Sequence, residues 1–355
     1  LQIGLQTGIE VPDLVDIEIR YFSNYTSMDD VPLLEITDVI DKHRENIIEE
    51  RLSPYSKGDK VYAVPTHLGS MMMYYNKDLF EEAGYSVDDI ETWEDFRRIG
   101  KEITKDTDGD GEMDQYMLVL RSQDRWDFHA VTRQFGSNVF DAEGNVVIDR
   151  EENIEAWEMI QDFVFEDKIA TTAPGGDLES PAFYADMSNS NFAALMAPQW
   201  YTIRMTSFMP ELKGKILLRA LPRHESGGTR SGMAGGTGTS ITDYIDEDKI
   251  EPAKAFLEFA KLTYEANVSI WTDFGFDPFR TDVYEDPALY EEQPYFGNEV
   301  VMETILNMVE NDEIQPLYTT EQFTKADDLI DEFLLTETLV ENNDVRETVE
   351  ELGER

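Results

Sequence analysis

Cysteine is absent from all 355 residues. That excludes a disulfide framework, thiol chemistry and any thiolate metal site, and it is consistent with an exported protein. Basic residues are scarce: 29 Lys and Arg stand against 75 Asp and Glu, a net charge of −46. A deficit of this size excludes nucleic-acid binding, which needs a basic footprint to displace condensed counterions. It reads instead as a solvated acidic surface that preserves solubility, as in proteins adapted to salt. No run approaches the ~20 consecutive apolar residues of a membrane span.

Catalytic signatures are missing as well. His43, His67, His129 and His224 are scattered, without the His-x-x-x-His or Glu-x-x-His spacing of metal sites. No G-x-S-x-G elbow occurs. The glycine-rich GGTGTS at 235–240 has no lysine after its glycines and runs into a strand-like segment, so it is not a phosphate loop. Its expected role is backbone freedom at a crossover between domains. With so many carboxylates, acid pairs at any chosen spacing arise by chance and carry no signal for glycoside hydrolysis.

What is present is a globular chain. Apolar residues make up 41% and aromatics 11% of it, and its length suits two domains, each with its own core. The most informative stretch is 61–96, VYAVPTHLGSMMMYYNKDLFEEAGYSVDDIETWEDF. A strand-like run ends at Pro65, Gly69-Ser70 breaks it, and an apolar run follows over 71–75. Asn76 is placed to cap a short helix with Leu79, Phe80 and Ala83 on one side, which ends at Gly84. Thr92 and Asp95 form a capping box, and Phe96, Ile99 and Ile103 recur at helical spacing. Strand, helix, loop and helix in this order predict an α/β layer.

The order YAVP, YYNKDLFEEAG and TWEDF resembles the extracellular solute-binding proteins of sugar ABC transporters, the maltose-binding-protein group. In that family a Y-x-x-P segment enters the first interdomain crossover, YNKDLF-x-x-AG follows, and P-x-TW-x-E/D-F starts the next helix; here Ile90-Glu91 stands in the place of the proline. Further matches extend the resemblance over 5–333: VPDLV near residue 11, EITDVI at 35–40, NFAALMAPQW at 191–200, and FGFDPFRTDVYEDP from Phe274. The family's usual strand, helix and strand ahead of the first of these segments are not in this chain.

The resemblance implies a two-lobed, type II periplasmic-binding-protein-like α/β clamshell. The first lobe is expected over 1–68 and 241–285, and the second over 72–234 and 286–355. Crossovers near 66–71, 235–240 and 286 would form a hinge on which two rigid lobes close around a ligand. The implied function is to bind a carbohydrate outside the cytoplasm, without catalysis, and deliver it to an ABC-transporter permease. The protein would be a monomer in the periplasm or lipid-anchored at the outer face of the membrane. A sensory or surface-attached carbohydrate-binding module is the alternative use of the same fold.

A sugar ring offers a C–H face to an aromatic side chain and an edge of hydroxyls to polar groups. The expected stacking residues are Trp200, in the loop after a strand, and Trp126. Gln199, Tyr201 and His67 are expected polar contacts, Asp16 and Glu18 are acceptors at the end of a first-lobe strand, and Asp277 and Arg280 belong to a proline loop. Trp93, Trp157 and Trp271 are read as core. Function needs no cofactor. The segment DTDGDGEMD at 106–114 matches part of a calcium loop, with Asp106, Asp108, Asp110, the Glu112 carbonyl and Asp114 as ligands of a structural Ca2+. Met117 stands where the bidentate Glu of such loops belongs.

Overall fold

The structure is a computed structural model that describes residues 1–224 and 227–355. The chain forms two compact units. The first comprises Leu1–Gly69, Gly235–Leu289 and Pro316–Ala326; the second comprises Ser70–Ala234, Tyr290–Gln315 and Asp327–Arg355. The chain therefore passes between units five times, at Gly69/Ser70, Ala234/Gly235, Leu289/Tyr290, Gln315/Pro316 and Ala326/Asp327. The layout expected from the sequence has three crossovers and puts all of 286–355 in the second lobe. The structure assigns Pro316–Ala326 to the first unit, where the Thr324 hydroxyl donates to the Arg20 carbonyl at 2.8 Å.

The first unit is built on a small antiparallel sheet in the order Leu14–Glu18, Thr237–Ile241, Val64–Pro65. Alternation along the first strand sends Val15 and Ile17 inward and leaves Asp16 exposed. In the central strand Gly238 lies against Tyr55: an added Cβ would sit 2.6 Å from the Tyr55 ring and 2.7 Å from the Ala63 methyl. Phe22 meets the same ring edge-on at 4.9 Å, and Trp271 is buried in the helix Tyr264–Phe274. In the sequence Pro252 predicts a helix start, with Phe256, Phe259, Ala260 and Thr263 on one apolar face; the helix starts instead at Glu247 and carries Pro252 inside it. Its expected apolar face is also displaced. Phe256 and Phe259 are 55% and 74% exposed, while Ala253, Leu257 and Leu262 are buried. A π-helical turn at Glu258–Leu262 follows, so the 3.6-residue period does not carry past Leu257.

The second unit contains a five-stranded mixed sheet in the order Ala170–Thr172, Tyr116–Leu120, Phe192–Pro198, Met71–Asn76, Ile216–Arg219. The first three strands run parallel, and Met71–Asn76 is antiparallel to both of its neighbours. Every residue of Met71–Asn76 and of Phe192–Pro198 is buried, as expected for strands covered on both faces. The helix Trp93–Ile103 opens with the Thr92–Asp95 capping box and buries Trp93, Phe96, Ile99 and Ile103. Gly100 lets it approach the sheet closely, since a Cβ there would lie 2.9 Å from Met117. Asn76 is at the N-cap position of Lys77–Glu82 but does not cap with its side chain; its Nδ2 donates to the Ser190 hydroxyl at 3.2 Å. The turn residues Glu143-Gly144-Asn145 after Asp141 predict a hairpin, and the structure has there a turn closed by one bridge, Phe140 to Val146. Trp157 is fully buried in Glu151–Phe165, and its Nε1 donates to the Thr338 hydroxyl at 2.8 Å. Among the described residues, no helix is long and apolar enough to cross a membrane.

Candidate functional site

In the first unit, the strand Leu14–Glu18 presents two carboxylates. Asp16 is exposed, accepts a hydrogen bond from the Thr239 hydroxyl and lies 3.7 Å from the Lys261 ammonium. Lys261, which the sequence did not single out, donates to the Thr66 hydroxyl at 2.7 Å, and burial lowers its pKa. Glu18 is half-buried and caps the helix Ile19–Thr26, accepting from the Arg20 amide at 2.9 Å. The other expected residues of this unit are inside it. His67 is buried against the Phe276 ring at 5.1 Å, with Nδ1 3.5 Å from an Asp277 carboxylate oxygen. Burial lowers the His67 pKa against the opposing pull of Asp277. Asp277 accepts from the Gly69 amide at 2.9 Å. Arg280 donates to both Asp282 oxygens at 2.9 and 2.6 Å, to His43 Nδ1 at 2.9 Å and to the Leu262 carbonyl. These three side chains tie loops to the body of the unit.

In the second unit, Trp200 sits in the single turn Gln199–Tyr201 that follows the buried strand Phe192–Pro198. Its flanking residues point inward. The Gln199 amide donates to the Ser70 carbonyl at 2.7 Å, and the Gln199 carbonyl accepts from the Tyr74 hydroxyl at 3.1 Å. Tyr201 is fully buried, donates its hydroxyl to the Leu178 carbonyl, and has its pKa raised by burial. Of the three, only Trp200 is partly exposed. The fold thus anchors the turn through Gln199 and Tyr201 and leaves Trp200 partly exposed.

Trp126 opens the helix Trp126–Gln134 and is half-buried. The Arg125 guanidinium lies over its ring, 4.4 Å from the centroid. Beneath lies a buried charged cluster. Arg125 Nε is 2.6 Å from Asp327 Oδ2, and His129 Nε2 is 2.8 Å from Asp327 Oδ1. Burial lowers the His129 pKa to about 4. Next to it, Asp127 accepts from the Arg121 amide at 2.7 Å and from its guanidinium at 2.6 Å, and burial raises its pKa to about 6. Arg133 donates to the Met233 carbonyl and, at 3.1 Å, to Asn138. The sequence did carry a signal for this cluster: Arg125, His129 and Arg133 recur every four residues, the spacing of one helix face, while Arg121 lies ahead of the helix.

The acidic loop 106–114 brings Asp106, Asp108 and Asp114 together, with one carboxylate oxygen from each within 4.8 Å of the others. Asp110 and Glu112 are exposed. Asp106 accepts from the Gly109 and Gly111 amides at 2.5 and 2.8 Å, and these bonds hold its pKa down. Met117, at the place of the bidentate Glu, is fully buried in the sheet and offers nothing to an ion.

A family model described as bacterial extracellular solute-binding protein matches residues 1–263. The chain is 36% identical over 342 residues to the arabinooligosaccharide-binding protein of Bacillus subtilis, covering 96% of this chain and 77% of that one. It is also 36% identical over 320 residues to the protein of the same name from Halalkalibacterium halodurans, covering 89% and 69%. Among solved structures, the ABC transporter associated binding protein of B. animalis subsp. lactis in complex with beta-1,6-galactobiose superposes with a TM-score of 0.81. That match covers 100% of this chain and 86% of that one at 21% identity, and it shows a shared fold.

Proposed function

This chain belongs to the bacterial extracellular solute-binding protein family, and we propose that its solute is an oligosaccharide delivered to an ABC-transporter permease. The observation that carries this reading is the 36% identity, across 96% of the chain, to a protein named for binding arabinooligosaccharides. The type II periplasmic-binding-protein fold agrees with it. Pentose oligosaccharides are therefore the first ligands to test. The protein binds its sugar and releases it unchanged, outside the cytoplasm.

The site geometry supports specific roles. Trp200 and Trp126 are the partly exposed indoles, and each supplies a flat apolar face for a sugar ring. Asp16 and Glu18 supply acceptors for hydroxyl groups on the first unit. Gln199, Tyr201, His67, Asp277 and Arg280 hold the surrounding loops in shape from within. The acidic loop takes a structural calcium ion, with Asp106, Asp108 and Asp114 as its side-chain ligands.

Calorimetry and thermal shifts with arabino-, malto- and galacto-oligosaccharides test the reading. A true ligand at 100 times its Kd adds about 2.7 kcal/mol of stability, and the recovered sugar is chemically intact. Trp200→Ala should lose most of the affinity while melting like the wild type. Failure of every sugar to stabilise the protein, or conversion of the bound sugar, overturns the proposal. Wild-type affinity in the Trp200 variant removes that residue from the site.

A further inference from the structure

The face of the helix Trp126–Gln134 that carries His129, continued by Arg125 just before it, faces inward: Arg125 is 7% and His129 1% exposed. Basic groups are buried at this depth only where counter-charge and hydrogen bonds offset their lost hydration. Arg125 finds its shortest ion pair, and His129 a hydrogen bond, in one carboxylate far along the chain. Asp327, itself 1% exposed, places one oxygen 2.6 Å from Arg125 Nε and the other 2.8 Å from His129 Nε2. Asp331, one helical turn later, lies 3.6 Å from Arg125 Nη1.

Two further observations give this cluster a direction. The Arg125 guanidinium lies 4.4 Å from the centre of the Trp126 ring, within cation–π range, so the arginine held by Asp327 is the surface on which the indole rests. Asp327 is also the residue at which the chain enters this unit after Pro316–Ala326. The residue that anchors the returning chain therefore fixes the arginine beneath a half-buried aromatic ring.

We propose that Asp327 is a positioning residue for ligand recognition, acting through Arg125 to set the orientation of the Trp126 indole. The inference rests on the assignment of Trp126 to the carbohydrate site; Asp327 itself touches no sugar. Stacking of a sugar on an indole depends on the tilt of the ring, which two side-chain dihedrals leave free unless a neighbour fixes them. Arg125 fixes them from one face, and it stays there because Asp327 holds its guanidinium in the interior. With the carboxylate gone, the guanidinium loses its hold on Nε, is drawn toward Asp124 and Asp331, 3.1 and 3.6 Å from Nη1, and leaves the indole unsupported. Lysine does not replace arginine here, because a planar guanidinium stacks on the ring and pairs with the carboxylate at the same time.

The test is a double-mutant cycle on the full chain, with the tightest-binding oligosaccharide and calorimetric Kd values. Asp327→Asn keeps the side-chain volume and removes the charge; it should weaken binding by roughly threefold to thirtyfold. In the Trp126→Ala background the same change should add nothing, since the group it positions is gone. Arg125→Lys should weaken binding comparably and also lose its effect in that background; it keeps a cation opposite Asp327, so it serves if the asparagine variant does not fold. Wild-type affinity in both Asp327→Asn and Arg125→Lys overturns the inference. So does an equal, additive loss with and without Trp126, which marks general destabilisation. If Trp126→Ala binds sugar as the wild type does, the assignment of Trp126 fails, and the inference falls with it.

Discussion

In the first unit Arg51 is wholly buried, donating from Nε to the His67 carbonyl at 2.7 Å and from Nη2 to the Gly235 carbonyl at 2.9 Å. In the second, Arg125 is buried with its guanidinium on a carboxylate, Asp327, and against a ring, Trp126. Both arginines lie where the chain changes units: His67 and Gly235 border the Gly69/Ser70 and Ala234/Gly235 crossovers, and Asp327 follows the Ala326/Asp327 one. Their partners differ. Arg51 holds backbone and fixes where two segments leave the unit; Arg125 holds a side chain and fixes a surface. Buried charge is costly in either place, and the contrast shows two structural uses for that cost. One sets the path of the main chain, and the other sets the orientation of an aromatic group.

The comparison breaks most sharply at Arg51. Arg51→Met removes the donor from two buried carbonyls, each costing roughly 1–3 kcal/mol when left unsatisfied. The expected loss is therefore on the order of 3 kcal/mol or more, read from urea melts. Asp327→Asn should cost less stability than this and more affinity. If the two variants show the same ratio of stability loss to affinity loss, the distinction between holding backbone and holding a ring is wrong.

How much of this was visible in the sequence depends on how far apart the interacting residues are. The capping box at Thr92, the apolar strand over 71–75 and the place of Trp200 just past a strand follow from patterns within a few residues, and the structure has them. The glycine run 235–240 reads in the sequence as backbone freedom at a crossover. The structure adds a steric reason: a Cβ on Gly236 would fall 2.1 Å from Arg51 Nη2, and one on Gly238 would meet Tyr55. Neither Arg51 nor Tyr55 is near that run in sequence, so no local pattern points to the contact. Asp327 was hidden in the same way. It sits in a stretch that reads as an amphipathic helix, and its partners Arg125 and His129 belong to another segment entirely. Asp277 and Arg280 illustrate the limit of motif transfer: their positions were picked out, but not that their hydrogen bonds go to loop backbone and neighbouring side chains.

The buried histidine of the second unit gives the comparison a pH axis. Burial depresses the His129 pKa to about 4 from an ordinary 6.5, so on acidification the unfolded chain takes up the proton first. Stability from this group therefore rises with pH between about 4 and 6.5. Asp127 has the opposite sign. Its pKa is raised to about 6 from 3.8, so the folded state takes up the proton first, and its contribution falls as pH rises through that window. The two slopes oppose each other in one unit. His129→Gln should remove the rising one, changing the pH dependence of stability by roughly 2 kcal/mol across the window. Urea melts at about pH 4.5, 5.5 and 6.5 measure it, and an unchanged pH profile would sink the claim that His129 is neutral in the fold.

The acidic loop at 106–114 sharpens the comparison from the solvent side, because its carboxylates are gathered at or near the surface and are met by backbone amides. Asp106, Asp108 and Asp114 each bring an oxygen within 4.8 Å of the others, on a chain that already carries a net charge of −46. Like charges this close repel, and a divalent cation relieves the repulsion. Backbone amides supply part of that relief: Gly109 and Gly111 donate to Asp106, and Thr107 donates to Asp114 at 3.2 Å. Gly111 takes a φ of +96°, which permits the tight curl. Because Met117 replaces the bidentate acid and lies in the core, binding should be weaker than at a complete calcium loop. Calcium at ten times its Kd should add only about 1.4 kcal/mol. The effect should be on stability alone, since the loop joins the helix Trp93–Ile103 to the strand Tyr116–Leu120 and contains none of the residues proposed to touch sugar. Melting curves with calcium, with magnesium and with chelator, on the wild type and on Asp108→Ala, measure this. A calcium-specific rise in the wild type that Asp108→Ala abolishes, with sugar affinity unchanged in both, is the expected result; equal behaviour of the two proteins would leave the loop a turn stabilised by its own backbone.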